Sequence, residues 1–238
     1  SHSNLLISLL IFNLRRIMLY IRSAIFVSFL VVWTIIVGAL GMFTLLSFNS
    51  KKISFTTFCW SKGVLAALAI VCRLDYKVIG EQKIPKNAAI YACKHQSAWE
   101  TIFFLSYFRS AAYILKKELT YIPIYGWYLP ASGMICVDRR GGASALKQTI
   151  AGVRKALASK RNVIIFPEGT RVEPGQAVDL KPGIAAIHSF VPEAQIVPVA
   201  LNSGFFWSKK SFLIRPGTVT IEFLEPIRSK MKKDELLQ

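Results

Sequence analysis

A histidine and a carboxylate stand five positions apart in the pattern His95-x-x-x-x-Glu100. A carboxylate that holds one imidazole nitrogen leaves the other free to take a proton, so the pair has the residue types of a general base and its orienting group. The spacing Ser97-x-x-Glu100 also fits a helix-capping box, in which Glu100 would bind a backbone N–H. The residues alone leave both roles open for Glu100.

Three basic side chains stand at turns where an anion could bind. Arg171 ends the run Phe-Pro-Glu-Gly-Thr-Arg at 166–171, Arg139 ends a predicted strand, and Lys181 precedes Pro182-Gly183. A guanidinium binds two phosphate oxygens, and the backbone N–H groups of a turn or of a helix start add to the attraction. For Arg171 and Lys181 the alternative is a solvated side chain on a surface turn.

Short β-type runs alternate with helical runs after Asp75, which favours an α/β domain with a mixed sheet flanked by helices. The segment of His95 and the run 166–171 each follow a predicted strand, and ligands bind at strand ends in such folds. The predicted strands are Ala88–Cys93, Ala111–Leu115, Gly133–Val137, Asn162–Phe166, Gln195–Leu201 and Thr218–Phe223. The predicted helices are Glu100–Phe108, Gly142–Ser159 and Gly183–Val191.

The N-terminal part is apolar and basic. The 238 residues are 53% hydrophobic and only 18% charged, with 30 Lys and Arg against 13 Asp and Glu and a net charge of +17. This composition excludes intrinsic disorder and favours an anionic membrane as partner, ahead of nucleic acid, for which we find no recognition motif. We therefore expect membrane-anchoring helices over 1–74 and the α/β domain over 75–238.

An uncharged run from Ser23 to Phe48 is long enough to cross a bilayer as a helix. A second apolar run, Ile53–Cys72, contains Lys62, which makes a full crossing expensive. Two arrangements remain open: a single span, or a helical pair that dips into one leaflet.

The four cysteines, Cys59, Cys72, Cys93 and Cys136, form no C-x-x-C pair and have no histidine at ligand spacing. This pattern predicts free thiols in a reducing compartment, without a disulfide framework. We expect no metal site.

Four motifs in order identify a resemblance. The chain has H-x4-E at His95, then G-x-x-C-x-x-R ending at Arg139, then F-P-E-G-T-R at 166–171, then Val197-Pro-Val. In this it resembles the glycerolipid acyltransferases, and among them the bacterial 1-acyl-sn-glycerol-3-phosphate (lysophosphatidate) acyltransferases. Two positions depart from the usual pattern: Glu100 stands where Asp is commoner, and Cys136 replaces a Phe.

The resemblance implies transfer of a fatty acyl chain from acyl-CoA or acyl carrier protein to the sn-2 hydroxyl of lysophosphatidate. It implies His95 as general base and Glu100 as its orienting group, with no covalent enzyme intermediate and no cofactor. It also implies a location at the bacterial inner membrane, with the active site on the cytoplasmic side. The remaining implied residues bind the acceptor phosphate (Arg139, Arg171, Lys181) or position substrate (Glu168, Gly169, Thr170).

The motifs leave alternatives open. Another lysophospholipid, an aminolipid or glycerol 3-phosphate could be the acceptor within the same class. A non-catalytic protein bound to anionic membranes would explain the charge and the apolar N-terminus, but not the His95–Glu100 pair or the two arginine turns. The oligomeric state is left open.

Overall fold

The computed structural model of the protein describes residues 2–47, 49–123 and 125–227. Two long helices come first, α1 over His2–Leu46 and α2 over Ser50–Cys72. Asn49 begins α2, where its side-chain oxygen accepts the backbone N–H groups of Lys51 and Lys52 at 3.0 and 3.3 Å. α1 starts well before the uncharged run predicted from Ser23, and the end of that run, Phe48, lies outside the described residues.

The two helices pack closely along their length. The indole of Trp33 donates to the Trp60 carbonyl at 3.0 Å, and the indole of Trp60 donates to the Thr34 hydroxyl at 3.0 Å. Gly63 makes this approach possible, because a Cβ there would lie 2.6 Å from the Trp33 ring. In the described part of the chain, residues 7–46 and α2 are both long and apolar enough to cross a membrane.

The rest of the chain forms a seven-stranded sheet in the order β1-β7-β6-β2-β5-β3-β4. All neighbouring strands are parallel except β6 and β7. The strands are β1 Leu74–Ile79, β2 Ile90–Cys93, β3 Ala112–Lys116, β4 Ile135–Val137, β5 Val163–Ile165, β6 Ile196–Leu201 and β7 Gly217–Phe223. The helices are α3 Trp99–Tyr107, α4 Tyr125–Ala131, α5 Gly142–Ala158 and α6 Gly183–Phe190. The predicted α/β class with a mixed sheet is confirmed, and each predicted element is present with its ends moved by at most two residues.

Two elements, β1 and α4, were not predicted, and the strand that contains Pro198 lies inside the sheet, between β7 and β2. Proline is tolerated there because the β6–β7 pairing begins only at Val199, opposite Phe223. The missing N–H of Pro198 therefore removes no bond from that ladder.

The sheet has a core on each face. One core joins α1, α2 and α3 to the sheet through Phe26, Leu68 and Trp99, while the other holds α5 and α6 through Val153 and Ile187. Residues from both sides of the predicted 74/75 boundary thus share one core, and the boundary itself stays a prediction.

Candidate active site

The loop between β2 and α3 joins His95 to Glu100. Nδ1 of His95 lies 2.9 Å from Oε1 of Glu100, whose side chain is fully buried. The same oxygen accepts the backbone N–H groups of Gln96 and Ser97, each at 2.7 Å. The Ser97 hydroxyl in turn accepts the N–H of Trp99 at 3.1 Å.

Glu100 therefore makes both of the contacts considered for it, since one oxygen binds backbone N–H groups just before α3 and also meets the histidine ring. With Nδ1 occupied, Nε2 is the nitrogen of His95 left to take a proton. The side chain of His95 is 18% exposed, so the ring can be reached from outside.

The second carboxylate oxygen of Glu100 accepts a hydrogen bond from the hydroxyl of Ser203 at 2.7 Å. Ser203 is fully buried and follows β6. Ser203 belongs to none of the four motifs and was not predicted, although its place just after a strand end was an available signal.

The segment 166–172 contacts both the ring and the backbone of His95. The Phe166 ring stacks on the imidazole at 4.1 Å between centroids. Oε2 of Glu168 accepts the N–H of His95 at 3.2 Å, and the N–H of Val172 donates to the His95 carbonyl at 2.7 Å. These contacts fix the histidine from three sides.

Glu168 was predicted to position Arg171 or a glycerol hydroxyl. In the described part of the chain its carboxylate makes no contact with Arg171 and instead binds the His95 backbone. Burial raises the pKa of the Glu168 carboxyl, with the hydrogen bonds it accepts and the positive charge of Lys94 acting in the opposite direction.

Two of the three predicted phosphate ligands meet at Gly169. Nη1 of Arg139 donates to the Gly169 carbonyl at 2.7 Å, and the Lys181 N–H donates to the Pro167 carbonyl at 2.8 Å. Gly169 has φ +70°, and a Cβ there would lie 3.3 Å both from Nη1 of Arg139 and from Cγ of Lys181. Glycine at this position thus lets two cationic side chains share one turn.

Arg171 and Thr170 lie further along the same turn, and both are exposed. Among the residues that the structure describes, none of Arg139, Arg171 and Lys181 forms a salt bridge. Arg171 and Lys181 lie on the loop that contacts His95, and Arg139 reaches that loop through Gly169, so the three cations are the candidates for binding an anion.

An apolar cavity of about 130 Å³ lies beside the first turn of α3. Thr101 and Ile102, in the first turn of α3, line it directly after Glu100. Tyr113 also lines it, donates to the Thr101 carbonyl at 2.7 Å and stacks on the Phe166 ring at 6.2 Å. Burial raises the pKa of the Tyr113 phenol, which keeps it neutral. The cavity and His95 therefore lie on either side of Phe166 and Tyr113.

Within the described ranges, no three His, Cys, Asp or Glu side chains are grouped as metal ligands would be, and the four cysteines are free thiols.

Comparison with known proteins agrees with the four motifs. The Acyltransferase family model matches residues 75–202. The 1-acyl-sn-glycerol-3-phosphate acyltransferase of Pseudomonas aeruginosa is 32% identical over 205 residues, which cover 84% of this chain and 78% of the relative. The enzyme of the same name from Saccharomyces cerevisiae is 28% identical over 173 residues, or 71% of this chain and 57% of the relative.

The fold also has a solved counterpart. The crystal structure of the 1-acyl-sn-glycerophosphate acyltransferase of Thermotoga maritima superposes with a TM-score of 0.74 at 22% identity, covering 93% of this chain and 92% of the other. The resemblance seen in the motifs is confirmed, and the chain belongs to the acyltransferase family.

Proposed function

We propose that the protein transfers a fatty acyl chain from an acyl thioester to the sn-2 hydroxyl of lysophosphatidate, which yields phosphatidate. The observation that carries the proposal is the His95–Glu100 pair, set on the same loop system as the unpaired cations Arg139 and Lys181. The names of the Pseudomonas and Saccharomyces relatives support the same acceptor.

The reaction needs one proton carrier. Nε2 of His95 takes the hydroxyl proton as the acceptor oxygen attacks the thioester carbonyl carbon. The tetrahedral intermediate then collapses and expels the thiolate, which takes the proton back from Nε2. Glu100 holds the ring in one tautomer and stabilises the imidazolium while it exists. Because the thiolate is a good leaving group, no covalent enzyme intermediate is required.

Arg139, Lys181 and Arg171 hold the acceptor phosphate in this proposal. Bidentate guanidinium contacts fix the phosphate in orientation as well as in place, so the glycerol hydroxyl reaches Nε2 in an attacking geometry. Gly169 and Thr170 form the turn on which the phosphate lies. Glu168 acts through the hydrogen bond that its carboxylate accepts from the His95 backbone N–H.

The apolar cavity receives an acyl chain. It is lined mainly by apolar and aromatic side chains. Its wall at Tyr113 packs on Phe166, which stacks on the His95 ring, so the reacting group of a bound chain must pass these two rings to reach Nε2. The donor in this proposal is a fatty acyl thioester of CoA or of acyl carrier protein.

Both lipid substrate and product prefer a bilayer, and α1 and α2 supply apolar helices beside the site. We place the protein at the bacterial inner membrane with the loop of His95 at the cytoplasmic headgroups. The net charge of +17 favours anionic lipids there.

The test is acyl transfer by the purified protein with labelled acyl-CoA and lysophosphatidate. We expect His95→Ala to abolish transfer while thermal unfolding stays close to that of the wild type. Thr149→Val, in α5, is the control and should keep its activity, because the Thr149 hydroxyl bonds to the Ala145 carbonyl of its own helix. Near-normal transfer by a folded His95→Ala protein would contradict the mechanism.

A panel of acceptors tests the substrate. With one acyl-CoA, we expect lysophosphatidate to be preferred over an aminolipid and a zwitterionic lysophospholipid, because the three cations suit a phosphate monoester. We expect it to be preferred over glycerol 3-phosphate because its acyl chain holds it in the bilayer beside α1 and α2. A wild-type protein that prefers one of the other acceptors would contradict the assignment. Binding to anionic vesicles without any acyl transfer would favour the non-catalytic alternative.

A further inference from the structure

We propose that Ser203 is a positioning residue for the reaction, acting through Glu100 on His95. Its hydroxyl holds the second oxygen of the Glu100 carboxylate and thereby fixes the plane of the group that orients the imidazole. The inference rests on the acyl transfer proposed above and adds a residue that neither the four motifs nor the matched family segment, 75–202, contains.

The carboxylate of Glu100 accepts four hydrogen bonds, and their distribution is uneven. Oε1 takes three, from the His95 ring and from the N–H groups of Gln96 and Ser97. Oε2 takes one, from Ser203 at 2.7 Å. In the described part of the chain no lysine or arginine forms a salt bridge with Glu100, so on the Oε2 side the buried charge is met by this hydroxyl alone.

An ionised carboxylate can only accept hydrogen bonds, so the hydroxyl of Ser203 must be the donor. Both side chains are fully buried, and a buried carboxylate oxygen that loses its donor has no bulk water to replace it. The hydroxyl therefore satisfies this buried oxygen and sets the angle of the carboxylate.

The backbone holds Ser203 in place independently of this bond. Lys94, next to His95, donates its N–H to the Val199 carbonyl at 3.3 Å, so the ends of β2 and β6 lie side by side. The N–H of Gly204 donates to the Gln96 side chain at 3.2 Å. A Cβ on Gly204 would lie 2.8 Å from Pro174 and 3.0 Å from Gln96, so this turn is packed directly against the loop between β2 and α3.

Loss of the hydroxyl has one expected effect. The carboxylate becomes free to rotate, which misplaces the imidazole and lowers kcat. The cations Arg139, Arg171 and Lys181 are untouched, so KM for lysophosphatidate and for the thioester should stay close to the wild-type values.

The experiment compares Ser203→Ala with Ser61→Ala in the full-length protein. Ser61 is equally buried, but its hydroxyl bonds only to the Phe58 carbonyl of its own helix. We expect Ser203→Ala to lower kcat about 10- to 100-fold, as a lost hydrogen bond to a charged group implies. We expect KM for each substrate to stay close to the wild-type value, because the loss is in the chemical step. Ser61→Ala should change neither kcat nor KM. Equal kcat values for the two variants, or a loss in Ser203→Ala that lies mainly in KM, would overturn the proposal.

A double-mutant cycle tests the route of the effect. If Ser203 acts through the side chain of Glu100, Ser203→Ala should have little further effect in a Glu100→Ala background, where the hydroxyl has no carboxylate to hold. The same fold-loss in both backgrounds would also overturn the proposal. Should Ser203→Ala fail to fold, Ser203→Cys keeps the volume with a weaker donor, and it should lower kcat while leaving KM close to the wild-type value. A wild-type protein that transfers no acyl chain at all would refute the proposed function instead.

Discussion

Replacing Glu100 by glutamine removes a charge while leaving the shape of the site intact. The glutamine carbonyl oxygen can accept the same three hydrogen bonds as Oε1, from the His95 ring, Gln96 and Ser97. Its amide group then faces Ser203, whose hydroxyl can rotate to accept a hydrogen bond. Glu100→Gln should therefore keep the cap of α3, the histidine tautomer and the fold.

The charge itself matters only once His95 has taken a proton. Two unit charges about 4 Å apart attract by about 4 kcal/mol at an effective dielectric constant near 20. Nδ1 and Oε1 lie 2.9 Å apart, and the charge centres of the two groups are somewhat farther from each other. Since each 1.36 kcal/mol is a factor of ten in rate, the loss in kcat is at most about 10³-fold. We expect a fall between about 10² and 10³.

The assay follows CoA thiol release at saturating lysophosphatidate, with thermal unfolding measured on the same preparations. Glu81→Gln is the matched control, because Glu81 accepts a hydrogen bond from Tyr107 at 2.6 Å on a different part of the surface. The control should keep wild-type kcat. A folded Glu100→Gln protein with kcat close to that of the wild type would show that the site does not need the carboxylate charge.

Three further substitutions test the surroundings of the pair. Glu168→Gln keeps an acceptor for the N–H of His95 and should retain more kcat than Glu168→Ala; equal losses would contradict a role through the backbone. Burial raises the folded-state pKa of Glu168 above its ordinary value of 4.5, so this group lowers the free energy of unfolding as pH rises from that value through the raised pKa. Glu168→Gln should remove this dependence in unfolding measured across that pH range. Arg139→Ala should raise KM for lysophosphatidate much more than KM for the thioester, as steady-state kinetics with each substrate varied will show. Arg161→Met should cost about 3 kcal/mol in denaturant unfolding, because its guanidinium donates to four backbone carbonyls between 2.7 and 3.3 Å; an unchanged midpoint would contradict this.

The sequence predicted much of the site because parallel strands end at a common edge. His95 follows β2 and the 166–171 turn follows β5, and these strands are neighbours in the sheet. Arg139 follows β4 and reaches the same turn through Gly169. Strand ends and motif order are local properties of the chain, so they could be read without coordinates.

The rest depends on contacts that no local pattern records. Ser203 is 103 positions from Glu100, and their contact depends on the pairing of β2 with β6. The direction of the Glu168 side chain, toward the His95 backbone instead of Arg171, is a choice of rotamer within one turn. α4 was not predicted because it is short and carries Pro130, which usually ends a helix.

The helical pair lines the apolar cavity and also carries the two candidate membrane spans. Gly38 of α1 and Trp60 of α2 line the cavity together with Thr101 and Tyr113 of the α/β domain. Tyr128 of α4 donates to the Gly38 carbonyl at 2.9 Å, which ties that wall of the cavity to α1. An acyl chain in the cavity would therefore contact α1, α2 and the first turn of α3 together. Any movement of the pair relative to the sheet would change the cavity, so under the proposed function membrane attachment and acyl-chain binding would depend on the same packing.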